Sequence, residues 1–188
     1  MKKINTIMIY ITFLIAVFWA ILHPIYINFS RVLIILVLLP ILYIPRILKK
    51  LFSFSIDNKT EFAYILFILF AQVFGSILRF YQTIPYYDKF VHFASGFFSC
   101  MFAVLLLKQY HLEKSKLSFR CMFLLFTTLA VAAFWEIFEY TSDILFHGDC
   151  QNVLTTGIHD TMQDIIMAFL ASILFLFFYF FKERKHLR

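Results

Sequence analysis

Charged residues are scarce in this chain. Only 15% of its 188 residues are Asp, Glu, Lys or Arg, whereas 62% are hydrophobic. This balance excludes the class of ordinary soluble domains and indicates a polytopic membrane protein. The sequence also has no internal repeat and no low-complexity linker. Its hydrophobic stretches leave few residues for a separate soluble domain.

Cysteine is rare as well, with three residues in the chain. Cys100 falls in the middle of a hydrophobic stretch, Cys121 at the end of another, and Cys150 in a polar segment between two others. An odd number of cysteines in separate compartments excludes a disulfide framework. No two of them have the spacing of a zinc site, so a cysteine-based metal centre is excluded too.

Six hydrophobic stretches predict an all-α, polytopic helical bundle, because each is near the roughly 20 residues that a membrane-crossing helix needs. They cover residues 4–22, 25–44, 61–80, 88–107, 121–141 and 160–181. We interpret residues 1–188 as one integral membrane domain, with two apolar packing helices in 1–48 and a four-helix core carrying the polar site in 61–181. Lys2 and Lys3 resemble the start of a signal peptide. No small-residue cleavage pattern precedes His23, so we expect the first span to be retained.

The distribution of Lys and Arg predicts the orientation of the chain. If the N-terminus is cytoplasmic, 14 of the 17 basic residues fall on the cytoplasmic side. The outer side then holds Arg31, Arg79 and Lys89. This bias places both termini in the cytoplasm and accounts for most of the net charge of +6. We therefore expect membrane lipid as a partner and no nucleic acid.

Seven acidic or imidazole side chains lie near the outer ends of the last three spans. Their spacings are i,i+4 in the first set, i,i+3 and i,i+7 in the second, and i,i+4 in the third, so each set occupies one helical face. Ionisable groups at this depth of a bilayer are costly and indicate a functional site. The residues are Asp88 and His92, then Glu136, Glu139 and Asp143, then Asp160 and Asp164.

Small side chains continue these faces toward the cytoplasm and predict close helix packing with the polar faces on the bundle axis. Several neighbouring carboxylates cannot all stay charged alone, because repulsion and desolvation disfavour ionisation. We therefore interpret all seven residues as candidate ligands of a divalent metal ion, with Glu136 and Glu139 as candidate catalytic residues. The small residues are Ser95, Gly96, Ser99, Thr128, Ala132, Ala168, Ala171 and Ser172.

Simpler roles are open for part of this set. Asp88 and Asp160 could be helix N-caps, and Asp143 could be a solvated loop residue. Arg79 or Lys89 could neutralise a carboxylate through an ion pair. The outer loop at 142–159 could be a lid or a plain connector. The residues without a simpler role lie within the apolar spans: His92, Glu136, Glu139 and Asp164.

Three motifs in order resemble a known family. They are Asp-Lys-Phe-Val-His-Phe at 88–93, Trp-Glu-Ile-Phe-Glu at 135–139 with Asp143, and Asp-Thr-Met-Gln-Asp at 160–164. Together they resemble the YjdF-like family of bacterial inner-membrane proteins, and the first is also similar to the VanZ-like family, which is associated with glycopeptide antibiotic tolerance. The resemblance spans 86–172 and implies a multi-pass protein of the bacterial cytoplasmic membrane with a site there, but no reaction. Where family members often carry Asn and Gly, this chain has Ala168 and Ala171, so an identical chemistry does not follow.

Three functions are compatible with these residues. The first is a metal-dependent membrane enzyme acting on a lipid or cell-envelope precursor at the outer leaflet, with a carboxylate as general base. The second is a transporter or cation-handling protein, for which few polar residues continue toward the cytoplasm. The third is a non-catalytic envelope or antibiotic-response factor held together by its carboxylates. We favour the first, and whether the protein is an enzyme stays open.

Overall fold

The computed structural model describes residues 1–186 and, for side chains, residues 1–184. Within that range the chain contains helices and no strands. In order, they are α1 (Lys2–Leu22), a 3₁₀ turn (Pro24–Tyr26), α2 (Phe29–Phe52), α3 (Asn58–Ile68) continued by a π-helix (Leu69–Ile77), α4 (Phe80–Thr83), α5 (Tyr87–Gln109), α6 (Leu117–Phe146), α7 (Val153–Thr156) and α8 (His159–His186).

Six helices of the described chain are long and apolar enough to cross a membrane, counting α3 and its π-helical continuation as one. Their most apolar windows have a mean hydropathy between 1.7 and 2.3. The predicted all-α fold with six such helices is confirmed. The side of the membrane on which the termini lie stays a prediction.

Several helices extend beyond the predicted spans. α6 has 30 residues and ends at Phe146, so Asp143 lies inside its last turn and not in a loop. α2 runs to Phe52, where Ser53 adopts a left-handed conformation with φ 55° and stops the helix. Polar residues at helix ends have low hydropathy, so a hydropathy window misses turns that backbone hydrogen bonding continues.

Residues Met1–Asp88 form one compact unit. Its hydrophobic core comes from α1, α2 and the third long helix, and includes the fully buried Ile9, Leu38, Leu42, Ile65 and Val73. The third long helix supplies Ile65 and Val73 to this core. The predicted four-helix core in 61–181 stays a prediction. A helix that is apolar on most of its surface gives little sequence signal of which neighbour it will choose.

The first unit also contains a buried polar network that links its three long helices. Glu61 of α3 accepts a hydrogen bond from Asn5 of α1 at 2.8 Å and pairs with Arg46 of α2 at 2.5 Å. Arg46 also donates to the hydroxyl of Thr6 at 2.9 Å. Glu61 is 7% exposed and Asn5 is fully buried. The first two helices therefore contribute polar contacts as well as apolar packing surface.

Residues Lys89–Arg188 form the second unit, in which α5, α6 and α8 pack together. Its core includes Cys100, Ala103 and Leu107 of α5 and Leu124 of α6. The predicted small residues allow a close helix contact: a Cβ atom on Gly96 would overlap the carbonyl oxygen of Ala168 and lie 2.7 Å from Cβ of Ala171. This contact brings the polar starts of α5 and α8 next to each other.

Candidate functional site

Two carboxylates of α8 and one ammonium group of α5 form the centre of the candidate site. Asp160 and Asp164 are four residues apart at the start of α8, so they project from one helical face. Lys89 Nζ donates to Asp160 Oδ1 at 2.5 Å and to Asp164 Oδ1 at 2.8 Å. The side chains of these three residues are 14%, 11% and 2% exposed, in the order Lys89, Asp160, Asp164. Both ion pairs are thus shielded from solvent.

His92 extends this group along α5. Its Nε2 atom lies 3.8 Å from Asp164 Oδ1, and its side chain is buried. Asp88 lies one turn before His92 in the first turn of the same helix. One ligand atom from each of Asp88, His92 and Asp164 lies within 4.8 Å of the other two. Three potential ligands therefore converge on one point.

The formal charges of this group favour a cation. Counted at their ordinary charges, Asp88, Asp160 and Asp164 are three anions and Lys89 is one cation, which leaves a formal charge of −2 without His92. One imidazole nitrogen with carboxylate oxygens suits Zn²⁺, Mn²⁺ or Fe²⁺, and the oxygens alone suit Mg²⁺. The donor set thus fits a divalent metal ion and does not discriminate among these four.

Asp160 also binds the outer loop. Asn152 Nδ2 donates to Asp160 Oδ2 at 2.6 Å. Asn152 has a left-handed backbone with φ 51°, a conformation that Asn adopts more readily than most residues. Each carboxylate oxygen of Asp160 is therefore bonded to a side chain from another segment, and Asp160 lies within the first turn of α8 and not at its N-cap.

Glu136 is the most deeply placed acidic residue of α6, with 5% of its surface exposed. Gln151 from the outer loop donates its side-chain amide to Glu136 Oε2 and to the Glu136 backbone carbonyl, both at 3.2 Å. Glu136 Oε1 is buried and has no hydrogen-bond partner among the described residues. A buried carboxylate oxygen without a donor is costly, and such an exception calls for a functional or ligand-based explanation.

Asp143 fixes the start of the outer loop. Its carboxylate accepts backbone hydrogen bonds from Cys150 at 2.7 Å and from Gln151 at 3.2 Å. This contact turns Gln151 back toward Glu136 and places Asn152 for its bond to Asp160. The loop is therefore anchored at three points, which favours a fixed connector over a mobile lid.

Cys150 lies in the same anchored loop, outside the helices that are long enough to span a membrane. Partial desolvation of the thiol, a hydrogen bond to Asp143 and the charges of Asp143, Glu139 and Asp149 raise the pKa of Cys150 to about 12, although the residue as a whole is exposed. Three carboxylates, those of Asp143, Glu139 and Asp149, thus act on this part of the loop, which contains no Lys or Arg.

Glu139 lies one turn after Glu136, on a more exposed side of α6. Trp135 Nε1 donates to Glu139 Oε1 at 2.8 Å, and both residues belong to α6. Tryptophan is common at membrane–water interfaces. This contact places the Glu139 carboxylate at the polar end of the helix.

A model of one protein family matches residues 5–185 of the chain, and the family is described as predicted membrane protein (DUF2238). The chain belongs to this family. Neither the curated proteins nor the solved structures contain a match to this chain. Membership agrees with the six apolar helices and assigns no reaction.

The structure brings together four of the seven residues predicted from the sequence, namely Asp88, His92, Asp160 and Asp164. Glu136, Glu139 and Asp143 contact Gln151, Trp135 and the loop backbone. A role of any of the seven residues as a metal ligand, and of Glu136 and Glu139 as catalytic residues, stays a prediction.

Two loop residues, Gln151 and Asn152, take part in the site without having been predicted. Their amide side chains could not be distinguished in the sequence from ordinary polar loop residues. Lys89 was considered only as a neutralising neighbour, but it links Asp160 to Asp164.

Proposed function

We propose that the protein is a multi-pass enzyme of the bacterial cytoplasmic membrane, YjdF-like in its motifs, that binds a divalent metal ion at its outer side and acts on a lipid or cell-envelope precursor. The observation that supports this most is the convergence of Asp88, His92 and Asp164 within 4.8 Å at the ends of apolar helices. Helix packing alone does not require an imidazole and several carboxylates at this depth, where each is costly.

In this proposal each polar residue has a distinct role. Asp88, His92 and Asp164 hold the ion, which would polarise a phosphoryl or acyl oxygen of the substrate. Lys89 keeps Asp160 and Asp164 in place and supplies positive charge near the reacting oxygen. Glu136 would be the general base, since its Oε1 atom accepts no hydrogen bond from the described residues.

The neighbouring polar residues favour an enzyme over a transporter. Ser95 and Ser99 of α5 donate to carbonyl groups of their own helix at 2.7 and 2.8 Å. Thr128 of α6 likewise donates to its own helix at 3.0 Å. Hydroxyls satisfied in this way do not form a polar path through the second unit toward the cytoplasm. A site at one end of the helices suits a reaction on a lipid headgroup better than ion transport.

Metal analysis of the purified full-length protein tests the binding step. We expect about one equivalent of a divalent metal ion in the wild type and a loss of most of it in His92→Ala and Asp164→Asn. Glu113→Gln, which changes an exposed acidic residue of the loop between α5 and α6, is the matched control and should keep its metal. The metal content of Asp143→Asn and Glu139→Gln shows whether Asp143 and Glu139 are also metal ligands. A wild-type protein without metal after growth in metal-supplemented medium would contradict the proposal.

Lipid turnover tests the catalytic step. The protein is reconstituted in liposomes of bacterial lipid extract, and the lipids are compared by mass spectrometry over time. Loss of a general base typically reduces a rate by about 10²–10⁴-fold. Glu136→Gln should therefore keep its metal and lose turnover by at least this lower factor. Equal lipid profiles for wild type, Glu136→Gln and empty liposomes would count against an enzyme.

A non-catalytic membrane factor is the second candidate, and the ion pairs of Lys89 favour it. An ammonium group already lies between Asp160 and Asp164, so a salt-bridged network could hold α5, α8 and the outer loop together without a metal ion. In that case the purified protein contains no metal, and Asp160→Asn combined with Asp164→Asn lowers its thermal stability. Unchanged stability of the double variant would exclude this structural role.

A further inference from the structure

Two arginine side chains of the first unit converge on one tyrosine. Arg31 Nη1 donates to the backbone carbonyl of Tyr26 at 2.7 Å, and its Nε donates to the carbonyl of Ser76 at 3.0 Å. The guanidinium carbon of Arg79 lies 4.5 Å from the centre of the Tyr26 ring. Both guanidinium groups therefore contact the same residue, Tyr26.

Neither guanidinium pairs with a carboxylate among the side chains that the structure describes. The Nε atom of Arg79 is buried and has no hydrogen-bond partner there. Two adjacent like charges without a counter-ion destabilise a fold, and a buried charged donor without an acceptor adds to this cost. An anion that accepts hydrogen bonds from the remaining N–H groups of both side chains would neutralise the two adjacent charges.

The surroundings of this pair also favour an anion. Arg31 is in the first turn of α2, a helix of 24 residues, where the helix dipole presents partial positive charge. The rings of Trp19, His23 and Tyr26 cluster beside it, with ring centres 4.8 to 6.4 Å apart in all three pairs. Tryptophan and tyrosine rings of this kind mark the headgroup level of a bilayer. A ligand at this height is most simply part of a lipid.

We propose that Arg31 and Arg79 bind the phosphate group of an anionic phospholipid headgroup. Arginine presents its N–H donors in a planar fork that matches two phosphate oxygens. The lipid tails would follow the apolar surface of α1 and α2, whose outward residues include the exposed Phe18, Ile21 and Phe29. With the orientation predicted from the basic residues, this site lies in the outer leaflet. It is independent of the metal site proposed above.

Arg79→Asn is the sharpest test of the site. Residue 79 has a left-handed backbone with φ 68°, and Asn tolerates this conformation better than most residues, so the variant removes the guanidinium with little added strain. Arg31→Gln is the second variant, although it also removes the bonds to Tyr26 and Ser76. Arg184→Gln is the matched control, because Arg184 also lies over an aromatic ring, at 5.0 Å from the centre of Phe180.

The full-length protein in detergent is titrated with phosphatidylglycerol, and bound lipid is counted by native mass spectrometry. We expect one tightly bound phosphatidylglycerol in the wild type and in Arg184→Gln, and at least tenfold weaker binding in Arg79→Asn. Inorganic phosphate is titrated in a parallel arm. If millimolar phosphate displaces phosphatidylglycerol and the protein binds both equally well, free phosphate is the ligand of Arg31 and Arg79. Equal binding of both probes by wild type and Arg79→Asn would overturn the proposal, as would no binding of either probe to the wild type.

Discussion

Lys89→Met separates the two explanations of the acidic site, because Lys89 competes with any metal ion for Asp164. The ammonium lies 2.8 Å from Asp164 Oδ1, and the same oxygen is 3.8 Å from His92 Nε2. At this ion-pair distance the Coulomb attraction is about 6 kcal/mol with an effective dielectric constant of about 20. Desolvation of the buried groups offsets much of it, but removing one partner of such a pair typically costs about 3–5 kcal/mol.

We therefore expect Lys89→Met to lose about 3–5 kcal/mol of stability in the absence of metal. A divalent ion should then restore much of this loss, because it replaces the missing positive charge. Its affinity should rise at least about tenfold, which corresponds to about 1.4 kcal/mol. The assays are chemical unfolding in detergent with and without a chelator, and metal titration by calorimetry.

Lys108→Met is the matched control for this prediction. Lys108 lies in the last turn of α5, is exposed and forms no ion pair with a described residue. Its replacement should change stability by less than about 1 kcal/mol. A Lys89→Met protein as stable as this control, with unchanged metal affinity, would refute the reasoning. Lower stability with no metal binding would favour the structural role.

Three further predictions concern other parts of the fold. Gly96→Val should destabilise the second unit by about 1–3 kcal/mol, because the valine side chain would overlap the Ala168 backbone. Thermal unfolding measures this loss, with Ala94→Val on the same helix as the control. Glu61→Gln should lower the free energy of unfolding by about 1–3 kcal/mol, with Glu113→Gln as the control. This loss is smaller than that expected for breaking a fully buried ion pair, because the Arg46 side chain is 26% exposed. The raised pKa of Cys150, about 12, keeps the thiol protonated at neutral pH. Because the thiolate is the reactive form, the alkylation rate of Cys150 should rise about tenfold per pH unit well beyond pH 9. Asp143→Asn removes one of the carboxylates that raise this pKa and should therefore speed the alkylation at pH 8. A rate that levels near pH 9 in the wild type would contradict the proposed environment of the thiol.

The helices were predictable from composition because a membrane span is a long and nearly continuous apolar signal. The close approach at Gly96 was also predictable, since small residues at helical spacing permit it. The ion-pair partners of Lys89 could not be predicted, because the sequence places several carboxylates near the same helix ends. The bond from Asn152 to Asp160 depends on a left-handed loop backbone that Asp143 helps to set through its neighbour Gln151. Conformations of this kind follow from tertiary contacts, which a single sequence does not reveal.

The polar contact of Asn5, Arg46 and Glu61 has a consequence for how the protein is made. Asn5 and Arg46 leave the ribosome before Glu61, so the first two helices enter the membrane while their acidic partner is not yet available. The helical hairpin of α1 and α2 is therefore an incomplete unit until the third long helix arrives. A truncated chain that ends at residue 56 should stay associated with the insertion machinery after its release from the ribosome. A chain that extends past the π-helix should leave that machinery as a folded three-helix unit.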